Sequence, residues 1–153
     1  MRNNPDTLGH CVGRTVLRSR SEPPLAYVTD MVEARLWLAE WQPETEDFTF
    51  RQDFDFAALG QGIALEVYFN PAGDRAYVTT ALPGHVNAFD ITDPREPKHL
   101  WTTEAAGGAH HMVFSTDGSH AYVQNSLLNI EGMNDGSISV IDLESGEKVD
   151  SID

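Results

Sequence analysis

The chain is 153 residues long and carries 24 acidic against 10 basic side chains, a formal net charge of −14. Phosphate binding needs clustered Lys and Arg, so this balance argues against nucleic acid and anionic membranes as partners and reads as a solvated acidic surface. The single cysteine, Cys11, excludes an internal disulfide framework and any paired-cysteine metal or haem motif, and no run of 18 apolar residues is present to span a bilayer.

Segment 1–14 mixes Arg2, Asp6, His10 and Arg14 with little apolar content, so it predicts a poorly ordered start without the apolar core of a secretory signal. From residue 15 the chain repeats. Ala-Tyr-Val occurs at 26–28, 76–78 and 121–123, spaced 50 and then 45 residues apart, and each copy is followed by a strand-like run that ends in an acidic residue. A period of roughly 40 to 50 residues with several short strands per unit is the pattern of propeller blades. The first unit, about 15–56, has a weak inner strand around Val16 to Arg20 and a third strand in which Leu36, Leu38, Glu40 and Trp41 align with the next unit at an offset of 50. The second unit, about 62–105, matches the third at an offset of 45 through its first half, with Tyr68-Phe69-Asn70-Pro71 against Val113-Phe114-Ser115-Thr116 and Gly73 against Gly118. Past the second strand the offset becomes 52, which leaves seven extra residues in the third unit's loop between second and third strands.

The third unit, about 108–153, reads most clearly. His111 to Ser115 predicts a first strand, and Thr116-Asp117-Gly118-Ser119 a tight turn in which Asp supplies a local hydrogen bond and Gly a positive φ. Ala121 to Asn125 predicts a second strand, followed by a long loop through Asn129, Glu131 and Asp135. Ser137 to Leu143 alternates apolar and small polar residues as a third strand, and Lys148 to Ile152 begins a fourth. The expected fold is therefore all-β, an incomplete β-propeller of about three four-stranded antiparallel blades. Closed propellers use four to eight blades, so the remaining blades are expected either in cis, from a longer protein, or by self-association.

Ala-Tyr-Val-Thr-Thr at 76–80 and Gly-Ser-Ile-Ser-Val-Ile-Asp-Leu-Glu-Ser-Gly at 136–146 resemble the YVTN-type β-propeller repeat, and the resemblance covers about residues 15 to 153. The chain departs from it at Ser21-Glu22-Pro23-Pro24, where the repeat has a Pro-Asp-Gly turn. The resemblance implies an architecture and no single chemistry, because the repeat serves as binding scaffold, surface protein or, with added ligands, redox domain. It also suggests a periplasmic or extracellular setting for the full-length protein, a point on which the chain's own residues leave the compartment open.

Loops after the second and fourth strands of each blade share one face of the disc, and function is expected there. The most chemically suggestive segment is Gly107-Gly108-Ala109-His110-His111, because imidazole is the commonest transition-metal ligand and an inner strand starts beside the central channel. Neighbouring strand residues point to opposite faces, so one of the two histidines is expected to aim into a site unless the Gly-rich approach bends. Glu66 is the repeat counterpart of His111, and Leu65 that of His110. His110, His111 and His85, from a neighbouring loop, are thus candidate ligands for copper or iron, while Glu66, Glu131, Asp135 and Asn129 are candidates for a ligand- or partner-binding face. The adjacent histidines also resemble those at the inner-strand mouths of nitrous oxide reductase and related copper- or haem-binding propellers, which implies a redox metal here. Glu40, Asp90 and Asp142 recur at the ends of equivalent third strands and read as structural, and Trp37, Trp41 and Trp101 read as filling between blades.

No nucleophile elbow, phosphate-binding loop or zinc-protease motif occurs. The leading expectation is a non-catalytic scaffold that binds a protein or small molecule, with no certain cofactor. The alternative is part of a metal-dependent oxidoreductase with channel-mouth histidines as ligands.

Overall fold

The computed structural model describes residues 16–18, 23–125 and 130–152; segment 1–14 with Cys11, and residues 126–129 with the candidate Asn129, lie outside the described residues. The described chain is all-β and forms three antiparallel sheets in succession. The first contains β1 (Val16–Arg18), β2 (Leu25–Asp30), β3 (Arg35–Gln42) and β4 (Asp47–Asp55). The second contains β5 (Gly62–Phe69), β6 (Arg75–Leu82), β7 (Gly84–Asp90) and β8 (Lys98–Glu104). The third contains β9 (Met112–Phe114), β10 (His120–Gln124), β11 (Ile138–Asp142) and β12 (Lys148–Ile152). Within each sheet the spatial order follows the chain, as in a meander blade.

Local chemistry explains the reversals. Asn70 Oδ1 accepts from the backbone N–H of Gly73, Asp74 and Arg75, and Asp117 Oδ1 accepts from the Ser119 N–H and from the hydroxyls of Ser115 and Ser119. Gly73 and Gly118 follow at φ +74° and +73°, the left-handed conformation that closes both turns. The recurring acids are tied up in the same way. Asp90 Oδ1 accepts from the Thr92 N–H and pairs with Arg75 at 3.2 Å, and Asp142 Oδ1 accepts from the N–H groups of Glu144 and Ser145. Glu40 instead receives Arg95 from the loop of the second sheet at 2.8 Å, an ion pair between blades.

The core lies between the sheets. Leu25, Tyr27, Leu36 and Leu38 of the first meet Val67, Ala76, Val78 and Phe89 of the second. Tyr77, Val86 and Ala88 on the other side of the second sheet meet Met112, Ala121, Val123 and Ile141 of the third. The alternation along Ala76-Tyr77-Val78 thus turns the tyrosine to the third blade and the alanine and valine to the first; Tyr27 likewise faces the second blade, as do Ala121 and Val123. Tyr27 packs against Phe69 at 5.9 Å between ring centroids and Tyr77 against Phe114 at 5.7 Å. Tyr122, the third copy, is 38% exposed where Tyr27 and Tyr77 are 0% and 3%. Trp101 on β8 lies directly over Gly146 of the third blade, so it does fill between blades.

Candidate ligand site at the mouth of the inner strands

The site is built from one backbone irregularity that occurs twice. In β5, Ala64 pairs with Thr80 and Val67 with Val78, so Leu65 and Glu66 together face the single residue Thr79. In the third blade Met112 pairs with Val123, and beyond it His110 N–H donates to the Gln124 carbonyl while Gln124 N–H donates to the His111 carbonyl. Two residues again face one. Such bulges re-aim side chains that strict alternation would send to opposite faces. The two bulges are repeat equivalents, with Leu65-Glu66 opposite Thr79 in one blade and His110-His111 opposite Gln124 in the next.

Threonine hydroxyls fasten the bulges to their neighbours. Thr79 Oγ1 accepts from the Glu66 N–H at 3.2 Å and donates to the His110 carbonyl at 3.0 Å, so one side chain ties both halves of the site. Thr29, its counterpart in the first blade, donates to the Leu65 carbonyl at 2.7 Å. The approach to the histidines is held from the other side. Gly108, at φ +76°, donates its N–H to the Ala81 carbonyl, and Gly107 donates to Asp135 Oδ2 at 2.6 Å.

The outcome is a compact group made by two blades. His111 Nδ1 lies 3.1 Å from Glu66 Oε2, and His110 Nε2 lies 3.7 Å from Glu66 Oε1. The two imidazoles stack at 4.0 Å with 25° between planes, so both address the carboxylate. Both histidines precede β9, and the bulge at Gln124 places them on the same side, the exception to strict alternation that a bend in the approach allows. Tyr68, two residues along β5, donates its hydroxyl to Glu66 Oε2. Glu66 is 7% exposed. Burial pushes its carboxyl pKa upward, but the Tyr68 hydrogen bond and the two imidazoles outweigh this and bring it below the usual range. His110 is shifted down, first by burial and then by His111, against the pull of Glu66. Its Nδ1 is buried with no hydrogen-bond partner. A cleft of about 460 Å³ opens beside His111 and Tyr68 and is further lined by Met112, Val113, Tyr122, Gln124 and Ile138.

The other candidates lie elsewhere. His85, at the start of β7, turns its Nδ1 to the Pro83 carbonyl at 3.0 Å and is not a member of the group. Asp135 braces Gly107 and Ser137, a structural engagement at the edge of the site. Glu131 is exposed on the loop after β10. His99 stacks on Phe54 at 4.8 Å, and His120 lies 3.9 Å from Asp142, both remote from the mouth. Sequence reasoning overlooked Tyr68, Thr79 and Gln124. The signal for Thr79 was its alignment with Thr29 at the repeat offset; Gln124 breaks that pattern, and nothing in the sequence marks Tyr68.

No protein-family model matches the chain, and no curated protein is similar to it at a significant level. Solved structures are similar in fold. The periplasmic gluconolactonase PpgL of Pseudomonas aeruginosa has a TM-score of 0.65 at 19% identity, over 89% of this chain and 39% of that one. Hydrazine synthase of Kuenenia stuttgartiensis has a TM-score of 0.61 at 20% identity, over 83% and 32%. The β-propeller domain of Swd1 from Myceliophteria thermophila has a TM-score of 0.54 at 13% identity, over 84% and 37%. This chain is three blades of a β-propeller. It spans between about a third and two-fifths of the length of these three solved structures. Among the described residues of the propeller, Glu66, His110 and His111 form a group that could hold a metal, their ligand atoms lying within 4.8 Å of one another.

Proposed function

We propose that this propeller segment works by binding, without catalysis, and that its ligand is a small molecule or protein group held where β5 meets the segment leading into β9. The observation that carries this reading is a buried carboxylate, Glu66, aimed at two histidines of the neighbouring blade, of which His111 keeps its side chain 36% exposed. Elsewhere the repeated acids are consumed by turns and ion pairs, which supports a scaffold whose chemistry is confined to the mouth. We read the repeat as YVTN-type, and the exposed Tyr122 side of the third blade as the place where further blades sit.

The experiment compares the protein with Glu66→Gln and His111→Ala in a thermal-shift screen of small carboxylates, sugar acids and peptides, and measures hydrolysis of gluconolactone beside it. Ligand-induced stabilisation that both substitutions abolish, with lactone hydrolysis at the buffer rate, is expected. Lactone hydrolysis that is accelerated by the protein and lost in Glu66→Gln would overturn the non-catalytic claim. A second reading, part of a copper- or iron-dependent oxidoreductase, is favoured by the closeness of the three donor groups. A bound ion that cycles between oxidation states in the purified protein would make it the leading one.

A further inference from the structure

We infer that Glu66, His110 and His111 bind one divalent ion of the zinc class, and that this ion clamps the second blade to the third. The inference deepens the binding reading above and rests on it, because it places an ion among the same mouth residues.

The donor set is one carboxylate and two imidazoles, the nitrogen and oxygen donors that zinc and its neighbours in the first transition row accept. Metal–ligand bonds of 2.0 to 2.2 Å at tetrahedral angles put donor atoms about 3.3 Å apart. The separations of 3.1 Å from Glu66 Oε2 to His111 and 3.7 Å from Oε1 to His110 bracket that distance; the first is also of hydrogen-bond length and the second is too long for one. Three protein donors leave a fourth position, on the side where His111 is partly exposed. His110 presents Nε2 to the carboxylate, so Nε2 is the nitrogen it would give to an ion.

The surroundings are those of a supported ligand set. Tyr68 fixes the carboxylate by its hydroxyl, Thr79 fixes both bulges, and Asp135 fixes Gly107 on the approach. Outer hydrogen bonds of this kind orient metal-binding side chains. No thiolate or thioether belongs to the group, so soft-metal chemistry is not favoured. Because Glu66 stands on β5 and the histidines before β9, any ion they share crosslinks two blades that are otherwise joined by apolar packing and by hydrogen bonds such as Thr79 to the His110 carbonyl, Gly108 to the Ala81 carbonyl and Thr103 to the Gly146 carbonyl.

The test is zinc titration of the metal-free full chain by calorimetry, with cobalt as a visible reporter of geometry. One equivalent per chain is expected, with intense tetrahedral cobalt bands and a raised thermal midpoint. Glu66→Gln and His111→Ala are each expected to lower the zinc affinity at least about tenfold, and His85→Ala to leave it unchanged. Protection of His110 and His111 by zinc from diethyl pyrocarbonate gives the same decision on the unaltered protein if a variant does not fold. Zinc binding indifferent to both substitutions, or failure of zinc to protect these histidines, overturns the inference. If zinc does not bind while another ligand still stabilises the protein in a Glu66-dependent way, the metal assignment falls and the binding reading stands. If neither binds, both fall. A redox-cycling copper or iron ion at the same residues overturns the zinc class in favour of the oxidoreductase reading.

Discussion

A methyl group added at Gly108 would sit 1.8 Å from the Met133 carbonyl oxygen, while one added at Gly118 would meet nothing within 4 Å. Both glycines have positive φ, +76° and +73°. The pair therefore separates two costs that are usually confounded. Left-handed backbone alone costs an L-residue about 1–2 kcal/mol, and that is the whole expected loss in Gly118→Ala. Gly108→Ala adds collision with backbone that cannot rotate away, for a total of about 2–5 kcal/mol. It also displaces the segment that carries His110 and His111. Urea unfolding followed by circular dichroism should rank the two substitutions in that order; equal losses would show that the close approach to Met133 is not maintained in solution.

At the scale of strands, the two bulges and their threonines form a repeating device, and Thr79 is its most heavily used member. Thr79→Val keeps the shape but removes the acceptor for the Glu66 N–H and the donor to the His110 carbonyl. Leaving a buried polar group unpaired costs about 1–3 kcal/mol, so a loss of about 2–4 kcal/mol is expected. Thr29→Val removes one bond and should cost less. The denaturation midpoints of the two variants decide it, and a Thr29→Val loss as large as that of Thr79→Val would contradict the double role. This device also marks what the sequence could not display. The strands of the third blade were legible to within a residue or two, because Asp117-Gly118 and the alternation of Ile138, Val140 and the positions between them leave few alternatives. A bulge leaves no such trace. Leu65 and Glu66 share the one partner position of Thr79, which strict alternation does not anticipate. The convergence of His110 with His111 rests on the same irregularity, so the residues of the mouth were legible as candidates and their geometry was not. His85 misled because a histidine at the end of a neighbouring loop is close in the chain pattern, yet the local Pro83 carbonyl holds its ring.

At the scale of the whole molecule, charge opposes the packing that the blades share. A net charge of −14 repels itself more strongly in the compact state than in the unfolded one. The four Arg–carboxylate pairs among the described residues involve Arg35, Arg51, Arg75 and Arg95, all partly exposed, and such pairs contribute about 0–1 kcal/mol each. Salt weakens both effects, but repulsion among the excess acids extends over a screening length that falls from about 30 Å at 0.01 M to about 10 Å at 0.1 M. The larger loss is therefore of repulsion, and the urea midpoint at neutral pH should rise with sodium chloride over that range. Acid acts with the opposite sign through particular residues. Asp90, Asp117 and Asp142 are held below the ordinary aspartate range chiefly by the hydrogen bonds that close their turns. A carboxyl whose pKa is lower folded than unfolded stabilises the fold above its unfolded value, about 3.9 for Asp, and loses that contribution as pH falls through the folded value. The midpoint should hold between pH 7 and 5 as far as these groups are concerned and drop below about pH 4, even though protonation there relieves the net repulsion. A midpoint that instead falls on adding salt at neutral pH would mean that local ion pairs, with Glu40–Arg95 between blades foremost, outweigh the net charge.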